Sequence, residues 1–138
     1  MEERSAGVIL FNKINEIEYL LLKYPSGHWD FVKGNIEKGE KDEETIIREA
    51  YEETSINDIE IYNGFHELIE YNYYNKKNIH KTVSYYVGET NQKEVKISFE
   101  HKDYRWLNYL DAQKLITFKN SKKLLKQANK FIKERSMN

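Results

Sequence analysis

Tyr19-Leu20-Leu21-Leu22 is apolar at four successive positions. A strand with one wet face alternates apolar and polar residues, so an unbroken run predicts a strand covered on both faces and a sheet with layers on each side. The chain has the length to build such layers. Its 138 residues, 39% hydrophobic and 14% aromatic, fit one domain spanning residues 1–138, and at this size roughly two thirds of the unfolded surface is buried without any staple.

Ser5 to Phe11 and Glu18 to Tyr24, separated by the polar stretch Asn12 to Glu16, read as a hairpin. Pro25-Ser26-Gly27 marks a turn, and the aromatic stretch His28 to Val32 runs into a Gly-containing loop from Lys33 to Gly39. The segment from Lys41 to Thr54 holds neither Gly nor Pro and reads as a helix, with Ile46, Ala50, Thr54, Ile47 and Tyr51 on its core face. Ile59–Tyr62, Phe65–Tyr74 and Lys81–Glu89 are strand candidates, and Val95–Phe99 and Tyr104–Leu107 flank the charged loop Glu100 to Asp103 as short strands. Asp111 is the expected cap region of a short helix to Ile116, and an amphipathic helix runs from Lys119 to Glu134. With no repeat and no linker, the expectation is an α+β or mixed α/β sandwich.

Composition excludes more than it selects. The 22 Lys+Arg and 23 Asp+Glu leave a net charge of −1, so no overall basic field gathers nucleic acid or anionic lipid, and a polyanionic substrate must be bound locally. Cysteine is absent, which removes disulfides, thiol nucleophiles and thiolate metal sites. Met1-Glu2-Glu3-Arg4 lacks the start of a signal peptide, and no apolar run approaches the ~20 residues of a membrane span. The expected address is cytoplasmic, away from membranes.

The chemistry concentrates between Gly34 and Ile56, GNIEKGEKDEETIIREAYEETSI. On the helix, Glu49, Glu52 and Glu53 stand at i, i+3 and i+4 and project side by side. Three adjacent carboxylates repel one another unless cations sit among them, and hard divalent ions are the natural oxygen-ligated solution: Mg²⁺, with Mn²⁺ as substitute. Such ions would let an acidic surface accept a polyphosphate and acidify a bound water. In a chain with 18 glutamates an acidic helix face is usually just solvated. The whole pattern is harder to dismiss: the chain's own Gly, Glu and Arg frequencies give a chance match well below roughly 10⁻³ per chain.

That segment resembles the Nudix box, the signature of hydrolases acting on a nucleoside diphosphate linked to another group. The resemblance implies an α/β/α sandwich with a mixed sheet between helices. It also implies that the Gly34 carbonyl, Glu49, Glu52 and Glu53 hold the metals, that Arg48 orients a glutamate by a charge-assisted hydrogen bond, and that Glu40 supports them. Glu100 matches the distal carboxylate of many such sites, as a metal ligand or as acceptor of the attacking water's proton. The residues leave open which of Glu49, Glu53 and Glu100 is the general base. Ser55 stands where the family places glycine, a departure expected to affect stability rather than chemistry.

Beyond the box, Ser5 to Phe11, His28 to Gly34, Lys81 to Tyr86 and Glu100 to Leu107 resemble the asymmetrical diadenosine tetraphosphate hydrolases, which split the dinucleotide into ATP and AMP. Val32 and Asn35 depart from the proline and histidine common there. Such a dinucleotide substrate needs cations along its phosphates and flat faces for its bases: Lys33 and Lys81, with His28 close to the first, are the phosphate candidates, Tyr85 is the ring the resemblance matches to a base and Tyr104 a second, and Trp29 and Trp106 read as core supports. Tyr71 to Tyr74 either border the nucleotide cleft or form a solvated hairpin. The alternatives are a related hydrolase of capped RNA 5′ ends, nucleotide sugars or modified nucleoside triphosphates, and a nucleotide-binding sensor without turnover.

Overall fold

The computed structural model describes residues 1–136. The strands are β1 (Glu2–Asn12), β2 (Glu18–Lys23), β3 (Trp29–Asp30), β4 (Val32–Asn35), β5 (Glu60–Ile61), β6 (Glu67–Tyr74), β7 (Asn78–Glu89) and β8 (Asp103–Leu107). The helices are α1 (Asp42–Thr54), α2 (Tyr109–Leu115) and α3 (Lys119–Ser136). The eight strands form one mixed sheet. β1 is its spine, parallel to β7 from Glu2↔His80 to Phe11↔Glu89.

The other edge of β1 is shared, which alters the expected hairpin. β4 takes it antiparallel from Ser5↔Asn35 to Val8↔Val32, so β2 meets β1 only at Phe11↔Tyr19 and Asn12↔Glu18. One backbone edge accepts one partner at a time, and β2 instead pairs with β8 and β3.

Layers cover both faces, as Tyr19 to Leu22 require. Leu20 and Leu22 join Ala6, Val8 and Leu10 under α1 residues Ile46 and Ala50. Tyr19 and Leu21 join Ile9 and Phe11 under α2 and α3, against Ala112, Leu124, Leu125, Ala128 and Ile132. The result is the α/β/α sandwich, its two cores separated by the period of two along each strand. Among the described residues no helix is long and apolar enough to cross a membrane.

Three local expectations change. The buried arc of α1 is Thr45, Ile46, Ala50, Glu53 and Thr54, whereas Ile47 and Tyr51 are 39% and 55% exposed. The helix is rolled so that an acidic position, Glu53, faces inward. Val95–Phe99 makes no strand; it crosses the end of α1, where the Lys96 and Ser98 amides donate to the carbonyls of Thr54 (2.9 Å) and Glu53 (3.0 Å) that the helix leaves unpaired. The cap of α2 is Asn108 rather than Asp111: its side chain accepts from the Asp111 amide at 2.9 Å. Ser55 takes the left-handed conformation at φ 64°, a position where glycine has no Cβ penalty.

Candidate active site

Arg48 is the hub of the Gly34–Ile56 segment. Its Nε and Nη2 donate to the two carboxylate oxygens of Glu40 at 2.7 and 3.0 Å, a bidentate fork. Nη2 also reaches the Asn35 carbonyl at 3.0 Å, and Nη1 donates to Glu49 at 2.8 Å and Glu52 at 3.3 Å. Hydrogen bonds from Arg48, and then from the Glu37 amide, hold the Glu40 carboxyl down to about 2. The cation expected among the helix acids is thus in part the protein's own guanidinium. One side chain ties the loop after β4 to α1 and sets the direction of Glu49.

Gly34 stands directly against that carboxylate. A Cβ added there would fall 2.0 Å from Glu49 Cδ, so only glycine lets the β4 backbone and the Glu49 carboxylate come together. Glu53, 5% exposed, lies behind Glu49. Burial, and next the Glu49 carboxylate, push its carboxyl up to about 9, with Glu100 and Glu52 adding to the effect. The sequence-predicted acids are therefore brought into one electrostatic group. Among the described residues no three acidic or histidine side chains converge at ligand spacing, and Arg48 engages Glu49 and Glu52. Oxygen donors nevertheless suit a hard divalent ion: Glu53 Oε2 is buried without a partner, and the Gly34 backbone lies open to Glu49.

Sequence reasoning missed His101. Its Nε2 lies 3.1 Å from Glu53 Oε1, and both side chains are buried. Burial lowers its pKa, which favours the neutral ring. The only sequence cue was its place beside Glu100.

On the α3 side of the sheet lies a cavity of about 460 Å³. Lys33, His28 and Tyr85 line it, together with Tyr24, Asp30, Tyr71 and Phe118. Tyr24 stacks on His28 at 4.9 Å and meets His101 edge-on at 4.7 Å, so its ring is the wall between cavity and acids. His28 also lies 5.1 Å from Phe118, and Lys33 is 3.4 Å from buried Asp30. Tyr71 borders this cleft, whereas Tyr74 is 73% exposed.

The remaining expected residues fall elsewhere or deeper. Tyr85 is 2% exposed, packed edge-on to Phe31 beneath the cavity. Tyr104 sits opposite Leu22 and packs in the α1-side core, away from the cavity. Lys81 donates to the Asn35 side chain (2.9 Å) and to Glu3 (3.3 Å), outside the cavity lining. Asn35 is a junction, also accepting from Ser5 at 2.8 Å. Val32 is a core residue under α1, and Trp29 and Trp106 pack in the two cores. No sequence periodicity marks Phe118, which is 46% exposed in the turn before α3.

The chain resembles known proteins over nearly its full length. The chain is 36% identical over 145 residues to the asymmetrical bis(5′-nucleosyl)-tetraphosphatase of Sus scrofa, covering 96% of this chain and 97% of that protein. It is 31% identical to the Caenorhabditis elegans enzyme of the same name, covering 96% and 98%. A crystal structure of a C. elegans Ap4A hydrolase binary complex superposes with a TM-score of 0.85 at 30% identity, covering 96% of this chain and 98% of the other. The NUDIX domain model matches residues 1–128. A family model spanning residues 1–128 and full-length relatives at 31–36% identity show that the chain belongs to the NUDIX family of pyrophosphohydrolases.

Proposed function

We propose that this chain is a Mg²⁺-dependent hydrolase of dinucleoside polyphosphates that converts diadenosine tetraphosphate to ATP and AMP. The observation that carries the proposal is the position of Tyr24, one ring separating an aromatic cavity from the buried acid group. A base-sized space and a charge-handling site side by side match a substrate with a flat nucleoside and a phosphate chain. Relatives of full-length similarity that bear this activity in their names add support.

The Gly34 carbonyl, Glu49, Glu52, Glu53 and Glu100 would hold Mg²⁺, with Mn²⁺ as substitute. When bound, the ion withdraws charge from phosphorus and acidifies water. Arg48, anchored by Glu40, orients Glu49 and Glu52. The proton of the attacking water passes to the Glu49, Glu53 and Glu100 group. Lys33 and His28 at the cavity edge face the phosphates, and Tyr71 and Phe118 offer ring surface to a base. We further propose that residues 1–138 act as one domain, in the cytoplasm, on a free nucleotide substrate.

The test is a Mg²⁺-supplemented panel of diadenosine tetraphosphate, capped RNA, ADP-ribose and nucleoside triphosphates, run in ¹⁸O water. Diadenosine tetraphosphate should be the best substrate and give ATP and AMP. Two ADP as products, or preference for another substrate, would overturn the substrate assignment; Glu49→Gln retaining activity within about threefold would overturn the role of the acids.

A further inference from the structure

Glu53 is the most constrained acid of the site, yet α1 alone does not constrain it. Its Oε1 lies 3.1 Å from His101 Nε2, and its Oε2, in a carboxyl group that adjoins Glu49, is buried and meets no donor among the described residues. His101 Nε2 likewise has no aligned acceptor. A buried ring nitrogen that faces a buried carboxylate at 3.1 Å, with no other group among the described residues to satisfy it, is poorly explained by packing, because orphaning a buried polar group is costly. The far side of the imidazole is already engaged: Nδ1 lies 3.2 Å from Ser98 Oγ. The ring is further confined by the edge of Tyr24 at 4.7 Å.

The backbone gives this contact its precision. The Ser98 amide donates to the Glu53 carbonyl at 3.0 Å, and the His101 amide donates to the Ser98 carbonyl at 3.1 Å. The loop is thereby pinned to the same residue whose side chain His101 meets. Backbone and side chain of Glu53 are held by one loop, and Glu100 is carried on that loop.

We propose that His101 is a positioning residue: its Nε2 edge, facing Oε1 at 3.1 Å, fixes the orientation of the Glu53 carboxylate, its Nδ1 engages Ser98 Oγ, and the second Glu53 oxygen is left for the divalent ion. The inference rests on the metal-dependent reading above. A ligand carboxylate oriented by a buried histidine follows the general rule that partners of ligands govern metal affinity, typically by 10–100-fold.

The test exploits side-chain geometry. The amide nitrogen of Gln overlays His Nε2, whereas that of Asn overlays Nδ1. Mn²⁺ binding without substrate is measured by titration calorimetry for wild type, His101→Gln, His101→Asn and His101→Leu, alongside Tm, kcat and KM. His101→Gln should bind Mn²⁺ within about threefold of wild type, while His101→Asn and His101→Leu should bind at least about tenfold more weakly, with kcat lowered and KM little changed. If His101→Leu does not fold, the Gln and Asn pair decides. Equal Mn²⁺ affinity in Gln and Asn, or a fall in Tm without a fall in affinity, overturns the positioning role. Wild type that binds no Mn²⁺ overturns the functional reading beneath it.

Discussion

Gly34 and Glu49 occupy space that a single methyl group would deny them: a Cβ on Gly34 would stand 2.0 Å from Glu49 Cδ and 2.3 Å from its Oε1. The glycine is there for closeness, not for an unusual backbone angle. Gly34→Ala should push the Glu49 carboxylate away from β4 while leaving the fold intact, because the displaced atoms are the end of a flexible side chain. Tm should fall by no more than about 3 °C, and kcat should fall about 100-fold, the scale of a misplaced group at a reacting centre. Kinetics and a melting curve on one preparation check this, and wild-type kcat would refute it.

The metal-free protein should lose stability as pH rises. Glu53 in the unfolded chain titrates near the ordinary 4.5 and in the fold at about 9, held up first by burial. Between those values the unfolded chain has released the proton and the folded chain still holds it, so stability falls across that window and levels above it. In chelator, wild-type Tm should decline from about pH 5 to about pH 9 more steeply than that of Glu53→Gln. Identical slopes would show that Glu53 titrates normally.

Ser55 holds a left-handed angle without the freedom of glycine. Ser55→Gly should relieve about 1 kcal/mol of backbone strain, partly offset by the looser unfolded chain. A net gain of up to about 0.5 kcal/mol corresponds to a Tm rise of up to about 2 °C, with kcat unchanged. Thermal denaturation decides the sign.

Phe118 and Tyr85 should separate recognition from packing. Phe118 offers an exposed ring at the cavity, so Phe118→Ala should raise KM for diadenosine tetraphosphate by about five- to 100-fold with little change in Tm. Tyr85 is buried, and Tyr85→Ala should destabilise by about 3–5 kcal/mol while Tyr85→Phe stays near wild type in both measures. Urea denaturation alongside steady-state kinetics tests both.

Much of the fold and of the acid group is legible in the order of the residues. The run Tyr19 to Leu22 requires layers on both faces, and the Gly34–Ile56 pattern marks the acids and their arginine. The misses share a cause. Ile47 and Tyr51 look apolar on a wheel, but the roll of α1 is set by Gly34 and the 96–98 segment, which draw Glu49 and Glu53 toward the sheet. Val95–Phe99 has strand-forming residues, yet its amides serve the open carbonyls of α1. Tyr85 and Tyr104 carry the right ring for a base, but one lies beneath the cavity and the other on the opposite face of the sheet.

What the sequence alone determined was the inventory and its local order: strand periods, the helix without breakers, three carboxylates at i, i+3 and i+4, and no thiolate ligand. Those depend on near neighbours, where spacing along the chain is spacing in the molecule. Only the tertiary structure decided which groups share an environment. His101 meets Glu53 across the loop to α1, and Phe118 meets His28 from the start of α3. Such contacts, like the burial that holds a proton on Glu53, come from chain segments brought together by the sheet, and no local pattern encodes them.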